Sequence, residues 1–256
     1  MSPAADRRRP DEARVIDLNA DLGEGVGDDA TMVQLVTSAN VACGFHAGTP
    51  SLLRRTCRQA VDAGVRIGAQ VSYPDRDGFG RRFMEIDPDD LVADVLFQIG
   101  ALSQIARSVG GTVDYVKPHG ALYNTVVAHP EQAAAVVTAV GEAGLPLMGL
   151  PDSLSLALAR ESGIPVLTEA FADRAYTSEG TLVSRRLDGA VLTDPAVIAD
   201  RVVKLATGER IRAIDGTEIA ITADSICLHG DTPGAVEHAR AVRRALTAAG
   251  VHVRAR

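Results

Sequence analysis

The chain has 256 residues, of which 46% are hydrophobic and 23% are charged, so its composition excludes a mostly disordered, collagen-like or coiled-coil protein. Asp and Glu (33) outnumber Lys and Arg (26), and the net charge of −7 argues against a nucleic-acid partner, which would require a basic surface. Only 4% of the residues are aromatic and Trp is absent, so few rings are available to line a cleft that binds sugars or single-stranded nucleic acid by stacking.

The N-terminal segment 1–14 is polar and contains three consecutive arginines, Arg7 to Arg9. It lacks the apolar stretch of a secretory signal, and no segment of the chain reaches the roughly 18 apolar residues of a membrane span. We therefore expect a disordered tail at 1–14, a single domain at 15–256 and no contact with membranes. The three cysteines show no CxxC spacing, which indicates reduced thiols and a cytoplasmic protein.

Short β-rich segments alternate with longer helical patterns along the rest of the chain. The predicted strands cover 14–20, 39–44, 66–71, 113–116, 147–150, 166–169 and 225–228. The predicted helices cover 29–39, 50–63, 88–109, 130–143, 152–162, 195–206 and 233–249. Four helix starts carry a capping residue before Pro, at Thr49-Pro50, Asp87-Pro88, Asp194-Pro195 and Thr232-Pro233.

Seven strand–helix alternations predict a parallel sheet with right-handed crossovers. Such a sheet is either an open doubly wound layer or a closed barrel, and the alternation alone does not choose between them. One interruption is expected at 211–221, where Asp215-Gly216 suits the tight turn of a β-hairpin.

The first predicted strand places Asp17, Asn19 and Asp21 on one face and apolar residues on the other. A polar row is costly in an ordinary core. It indicates a barrel interior that opens to water, or a buried network in which Asp17 and Asn19 are satisfied by hydrogen bonds. The strand leads into Gly23–Gly27 (GEGVG), whose backbone N–H groups suit an anion cradle at a helix N-terminus, with a tight flexible turn as the alternative.

Further polar residues follow the C-terminal ends of the other predicted strands, which is where active sites of parallel α/β folds lie. They are His46 after the second strand, Lys117, His119 and Asn124 after the fourth, Asp173 and Arg174 after the sixth, and His229 and Asp231 after the seventh. Histidines at three of these positions predict one shared site. Asp21, His46 and His119 are ligand types for a divalent metal ion that activates water, and Lys117 is an alternative electrophile.

Six segments of the chain, in this order, resemble those of the LamB/YcsF family. They are 17–25 (DLNADLGEG), 39–48 (ANVACGFHAG), 72–76 (SYPDR) with 78–81 (GFGR), 116–124 (VKPHGALYN), 169–174 (EAFADR) and 227–231 (CLHGD). The resemblance runs from about residue 15 to the end of the chain, and six motifs in order argue strongly against a chance match. It implies an α/β fold, a seven-stranded TIM-like β/α barrel of the type found in glycoside hydrolases and polysaccharide deacetylases.

The resemblance also implies a function. Members of the family form the A subunit of a bacterial ATP-dependent 5-oxoprolinase, which acts with subunits B and C. The enzyme cleaves 5-oxo-L-proline to L-glutamate while ATP, with Mg²⁺, is hydrolysed to ADP and phosphate. The alternatives are a metal-dependent deacetylase-like hydrolase on the same barrel and a non-catalytic scaffold subunit.

One position departs from the family pattern, because relatives often carry His where this chain has Gln70. An amide oxygen is a poorer ligand for Zn²⁺ than imidazole, so this residue weakens the expectation of a metal site.

The lactam chemistry implied by the resemblance gives roles to the polar residues. Phosphorylation of the amide oxygen makes the ring carbon electrophilic, and a base must then activate water. The candidates for phosphate binding are Lys117, Arg174 and the amides of Gly23 to Gly27, and the candidate bases are Asp17, Asp21 and His229. Arg81 or Arg174 would clamp the substrate carboxylate by two parallel hydrogen bonds. The other expected site residues are His119 in a catalytic role and Asn19, Glu24, Gly25, Asn124, Asp173 and Asp231 as substrate or phosphate ligands.

Overall fold

The computed structural model describes residues 14–230 and 234–255, and its strands form a closed parallel barrel. The strands in chain order are β1 (Val15–Leu22), β2 (Ser38–Ala42), β3 (Arg66–Val71), β4 (Val113–Pro118), β5 (Leu147–Gly149), β6 (Val166–Phe171), β7 (Ile211–Arg212), β8 (Glu218–Ile219), β9 (Ser225–Leu228) and β10 (His252–Val253). β1 to β6 and β9 pair in that order, and β9 pairs back with β1 through Asp17–Ser225 and Ala20–Leu228. The seven-stranded barrel is therefore confirmed, and the open alternative is excluded.

The helices lie between the strands, and those that begin at Pro50, Pro88 and Pro195 start where the capping pattern predicts. They are α1 (Asp29–Met32), α2 (Pro50–Ala63), α3 (Pro88–Arg107), α4 (Gly120–Thr125), α5 (Pro130–Ala143), α6 (Leu154–Glu161), α7 (Pro195–Thr207) and α8 (Ala235–Ala248). The side chains of Thr49, Asp87 and Asp194 each accept a hydrogen bond from a backbone N–H of the first turn. The expected cap at Thr232 and the tail at 1–13 lie outside the described residues. Within the described ranges, no helix has both the length and the apolar character needed to cross a bilayer.

The predicted helix at 29–39 is wrong in length, because α1 spans only four residues. Thr37 ties the following segment to β1: its backbone N–H donates to the Leu18 carbonyl (2.8 Å), and its hydroxyl accepts from the Leu18 N–H (2.9 Å). The chain is therefore drawn into β2 from Ser38 onward. Buried Met32, Val33 and Val36 produce the apolar spacing that resembled a longer helix.

Two small elements lie outside the alternating pattern. The hairpin of β7 and β8 is confirmed, with Gly216 at φ +91° in its turn. The short strand β10 was not expected from the sequence. It pairs in parallel with the first residues of β1, Val15 opposite His252, and so fastens the C-terminal segment to the barrel.

The barrel interior is polar at the N-terminal end of β1. Buried Asp17 accepts hydrogen bonds from the hydroxyls of Thr37 (2.7 Å), Ser38 (2.8 Å) and Ser225. Three donors on one carboxylate offset the cost of removing it from water. Leu18 on the opposite face of the strand is fully buried in the apolar core.

A second polar layer lies directly above the first. The Asn40 amide donates to Asn19 (2.7 Å), Asn19 donates to Ser225 (2.7 Å), and the Tyr115 hydroxyl donates to Asn40 (2.6 Å). The Tyr115 ring fills the space beside Gly68 of β3, where a Cβ atom would overlap it. The buried network that was one alternative for Asp17 and Asn19 is thus the observed one.

We expect Gly68→Ala to lower the free energy of unfolding by about 1–3 kcal/mol, because Tyr115 is fully buried and can yield only by straining the interior. The matched control is Gly100→Ala in α3. Gly100 is exposed, nothing lies within 4 Å of its Cβ position, and Ala stabilises a helix interior by roughly 0.5–1 kcal/mol. Urea denaturation of both variants checks the sign of each effect, and a loss of the same size in both would contradict the packing argument.

Candidate active site

A cavity of about 610 Å³ opens at the C-terminal ends of the barrel strands. Asp21 of β1, Lys117 of β4 and Phe171 of β6 lie in its lining with His229, which follows β9. The sequence-predicted residues that line it are Asp21, Arg81, Lys117, His119, Asn124, Arg174 and His229. Residues from distant parts of the chain therefore converge at the position where sites of β/α barrels lie.

Positive charge dominates the cavity although the chain as a whole is acidic. One carboxylate, Asp21, is found among the described residues of the lining. The cationic residues of the lining are Arg81, Arg82, Arg174, Arg185, Arg186 and Lys117. Arg82 is paired with Asp75, which lies outside the cavity lining. Such a local excess of cations favours an anionic ligand.

Lys117 forms the floor of the cavity and is almost completely buried. Its Nζ atom lies 2.6 Å from Glu169 Oε1, 3.4 Å from Asp21 Oδ1, 3.2 Å from the Asn19 oxygen and 3.2 Å from Cys227 Sγ. Burial disfavours the ammonium, but the Asp21 and Glu169 carboxylates prevail and raise the pKa of Lys117 well above its ordinary value. The two carboxylates therefore favour the charged form of Lys117.

The two carboxylates beside Lys117 respond differently to burial. Burial raises the pKa of Glu169, and the nearby ammonium only partly offsets this. Burial also acts on Asp21, but Lys117 and His119 hold the pKa of that carboxyl well below its usual range. Asp21 also accepts a hydrogen bond from Asn40 (2.9 Å). Asp21 is thus an electrostatic partner of Lys117, and its role as a base stays a prediction.

His229 and Asp173 form a hydrogen-bonded pair at the cavity wall. His229 Nδ1 lies 2.7 Å from Asp173 Oδ1, and because a carboxylate only accepts, Nδ1 carries a proton, which leaves the lone pair of the neutral ring on Nε2. Burial raises the pKa of Asp173, but His229 more than reverses this and lowers it. The Phe171 ring stacks on the imidazole with centroids 5.5 Å apart. A histidine oriented by a carboxylate is suited to general-base catalysis.

A second cluster lies beside the cavity and contains ligand types for a metal ion. The rings of His46 and His119 stack with centroids 4.0 Å apart. Glu24 Oε1 lies 3.3 Å from His46 Nε2 and 3.6 Å from His119 Nδ1. Glu24 groups with His46 and His119 in this cluster, whereas the expected ligand set had Asp21 in its place. Asp21 lies 3.4 Å from Lys117 Nζ and 3.8 Å from His119 Nδ1, and the set of Asp21, His46 and His119 stays a prediction. The Gln70 amide nitrogen lies between Glu24 and His119, at 3.0 and 2.9 Å.

Several predicted site residues lie elsewhere. Asp17 and Asn19 belong to the interior layers below the cavity floor and are not among its described lining residues, and their roles as base and substrate ligand stay predictions. Gly23 donates its N–H to Asp29 (3.0 Å), and neither Gly23 nor Gly25 is among the described lining residues, so the anion cradle is not formed at this cavity. Asp231 lies outside the described residues.

Sequence reasoning missed other residues of the site. Glu169 was the last residue of a predicted strand, and a carboxylate inside a buried strand was the signal that could have found it. Arg185 and Arg186 lie in the irregular segment between β6 and α7, which is held by isolated bridges such as Tyr176–Leu182. No periodicity marks such a segment.

Comparison with known proteins extends these observations. Residues 16–256 match the sequence model of the LamB/YcsF family. The A subunit of 5-oxoprolinase from Mycobacterium marinum is 59% identical over 247 residues, which cover 94% of this chain and 98% of that protein. A lactam utilization protein from Thermus thermophilus is 44% identical, with a TM-score of 0.89 over 94% of this chain and 99% of that one. A family 4 carbohydrate esterase from Streptomyces lividans shares the fold, at 14% identity and a TM-score of 0.51 over 93% of this chain and 91% of that one. The chain therefore belongs to the LamB/YcsF family.

Proposed function

We propose that this chain is the A subunit of a cytoplasmic ATP-dependent 5-oxoprolinase. With subunits B and C it opens 5-oxo-L-proline to L-glutamate, and ATP, carried with Mg²⁺, is hydrolysed to ADP and phosphate. The observation that carries the proposal is the 59% identity, over 94% of the chain, to a protein that is named as the A subunit of 5-oxoprolinase. The cation-rich cavity is consistent with an anionic substrate of this kind.

Arg174 is proposed to hold the negative charge of the substrate. Its side chain is buried, its Nη2 donates to the Val183 carbonyl (2.6 Å), and its Nε has no hydrogen-bond partner among the described residues. Burial and the neighbouring Arg185 lower the pKa of Arg174 to about 10. A buried guanidinium beside a like charge is stabilised by an anion, and the carboxylate of 5-oxoproline or a phosphate supplies one.

Lys117 and His229 are proposed to serve the reacting amide. The Lys117 ammonium at the cavity floor stabilises negative charge that develops on the lactam oxygen or on a phosphoryl group attached to it. His229 Nε2 removes a proton from the water that attacks the ring carbon, and Asp173 stabilises the resulting imidazolium. The imidazolium returns this proton to the ring nitrogen as the C–N bond breaks, and hydrolysis of the acyl phosphate that remains gives the carboxylate of glutamate and free phosphate. Binding of the lactam and activation of water are thus the steps we assign to this chain.

Reconstitution with purified subunits B and C tests the proposal. We expect ADP release that requires 5-oxoproline and all three subunits. Full turnover without this chain would refute its role. Hydrolysis of an amide substrate without ATP, by protein containing a stoichiometric metal ion, would favour the deacetylase-like alternative instead.

Asp173→Asn should reduce turnover by about 100-fold or more, because the amide no longer fixes the proton on His229 Nδ1 or stabilises its charged form. The Michaelis constant for 5-oxoproline should change little. Asp62→Asn, an exposed position in α2, is the matched control and should leave turnover unaltered. Steady-state ADP release measures both, and a variant at position 173 as active as the control would remove His229 from the mechanism.

Lys117→Met should abolish turnover and lower the free energy of unfolding by about 3–5 kcal/mol, since Glu169 and Asp21 lose their buried counter-charge. Adding Glu169→Gln should restore part of the stability but none of the activity. Urea denaturation and ADP release separate the two roles. Wild-type turnover in a folded Lys117→Met variant would support the scaffold alternative.

A further inference from the structure

We propose that the side-chain amide of Gln70 takes the place of a divalent metal ion in the cluster of Glu24, His46 and His119. Two hydrogen bonds from the amide hold this cluster together, and the cluster binds no divalent ion until Gln70 is replaced by a metal ligand. The inference concerns metal binding by this chain alone and does not depend on the proposed reaction.

The cluster has the composition and spacing of a metal site. A carboxylate with two imidazoles is a donor set that Zn²⁺ accepts, and metal–ligand distances of about 2.0–2.2 Å place neighbouring tetrahedral ligands roughly 3.3–3.6 Å apart. Glu24 Oε1 lies 3.3 Å from His46 Nε2 and 3.6 Å from His119 Nδ1. These two distances therefore match the separation of neighbouring ligands around a bound ion.

The Gln70 amide already uses the lone pairs that an ion would need. Its Nε2 lies 3.0 Å from Glu24 Oε1 and 2.9 Å from His119 Nδ1. Turning the amide over would bring its oxygen against the Glu24 carboxylate, so two acceptors would face each other, and Glu24 thus fixes the NH₂ orientation. Gln70 is fully buried and cannot swing into water.

The same contacts determine the state of His119. Because its Nδ1 accepts from Gln70, the ring proton is on Nε2, which donates to the Phe79 carbonyl (3.1 Å). Both ring nitrogens are engaged by hydrogen bonds, an arrangement that favours a positioning role for His119, and its catalytic role stays a prediction.

A second group of ligand types among the described residues, Asp21 with Cys227 and His229, is also unsuited to an ion. The Lys117 ammonium lies 3.4 Å from Asp21 Oδ1 and 3.2 Å from Cys227 Sγ. It already supplies the positive charge at this position.

The test is a titration of the metal-stripped full chain with Co²⁺, followed by visible absorption and by metal analysis after gel filtration. We expect no stoichiometric binding to the wild type. Gln70→His should bind one equivalent, at least about tenfold more tightly than the wild type, with the strong bands of a four-coordinate ion. Its melting temperature should rise on adding Co²⁺, and that of the wild type should not.

Two double variants locate the new site. His46→Ala in the Gln70→His background should abolish binding, and His252→Ala in the same background, at an exposed position of β10, should not.

Gln70→Glu is a near-isosteric second variant that places another carboxylate beside Glu24, and it should also bind one equivalent of Co²⁺. One equivalent of Co²⁺ in the wild type that is lost in His46→Ala overturns the proposal, as does the absence of binding in both position-70 variants when circular dichroism shows them folded. If neither variant folds, the wild-type titration decides alone. Because no activity is measured, the result stands apart from that of the reconstitution.

Discussion

A buried ammonium needs carboxylates around it, and Lys117 imposes this requirement on the centre of the barrel. Its partners come from opposite parts of the chain, Asp21 from β1 and Glu169 from β6. Removing any of the three charges would leave the others poorly solvated and without their counter-charge. The ion-pair group therefore ties the strands together and at the same time fixes a positive charge at the cavity floor, so that stability and chemistry depend on the same contacts.

Closure of the barrel makes such a polar interior possible. The outward faces of the strands pack on the helices and supply the apolar core, as Leu18 and Val41 do. The inward faces can then be filled by groups that satisfy one another, such as Asp17 with its hydroxyl donors. In an open sheet the same row would lie against a helix and require an apolar partner. The acidic pattern of the first strand thus has its explanation in topology.

Local sequence signals predicted the elements better than their assembly. Capping residues such as Thr49 and Asp87 act over three or four positions, so they mark helix starts reliably. Barrel closure depends on Asp17 pairing with Ser225 across most of the chain, and no local pattern contains that information. The expectation that polar residues meet at the C-terminal ends of parallel strands predicted that Lys117 and His229 lie together, and both line the cavity. An alternation of period two shows which residues share a face of a strand, but it does not show how deep each residue lies in the barrel. For this reason the sequence could not distinguish Asp17, in the interior layer, from Asp21, at the cavity.

The two histidines at the barrel mouth show why residue type alone did not assign roles. His229 has a carboxylate on one nitrogen and leaves the other facing the cavity, which is the arrangement of a base. His119 has an amide donor on one nitrogen and a carbonyl acceptor on the other, which leaves it no proton to exchange without breaking a hydrogen bond. Both follow strand ends and both line the cavity. Their hydrogen bonding differs because Gln70 and Asp173 differ, so the neighbours that touch each ring, and not the rings themselves, distinguish the roles proposed for the two histidines.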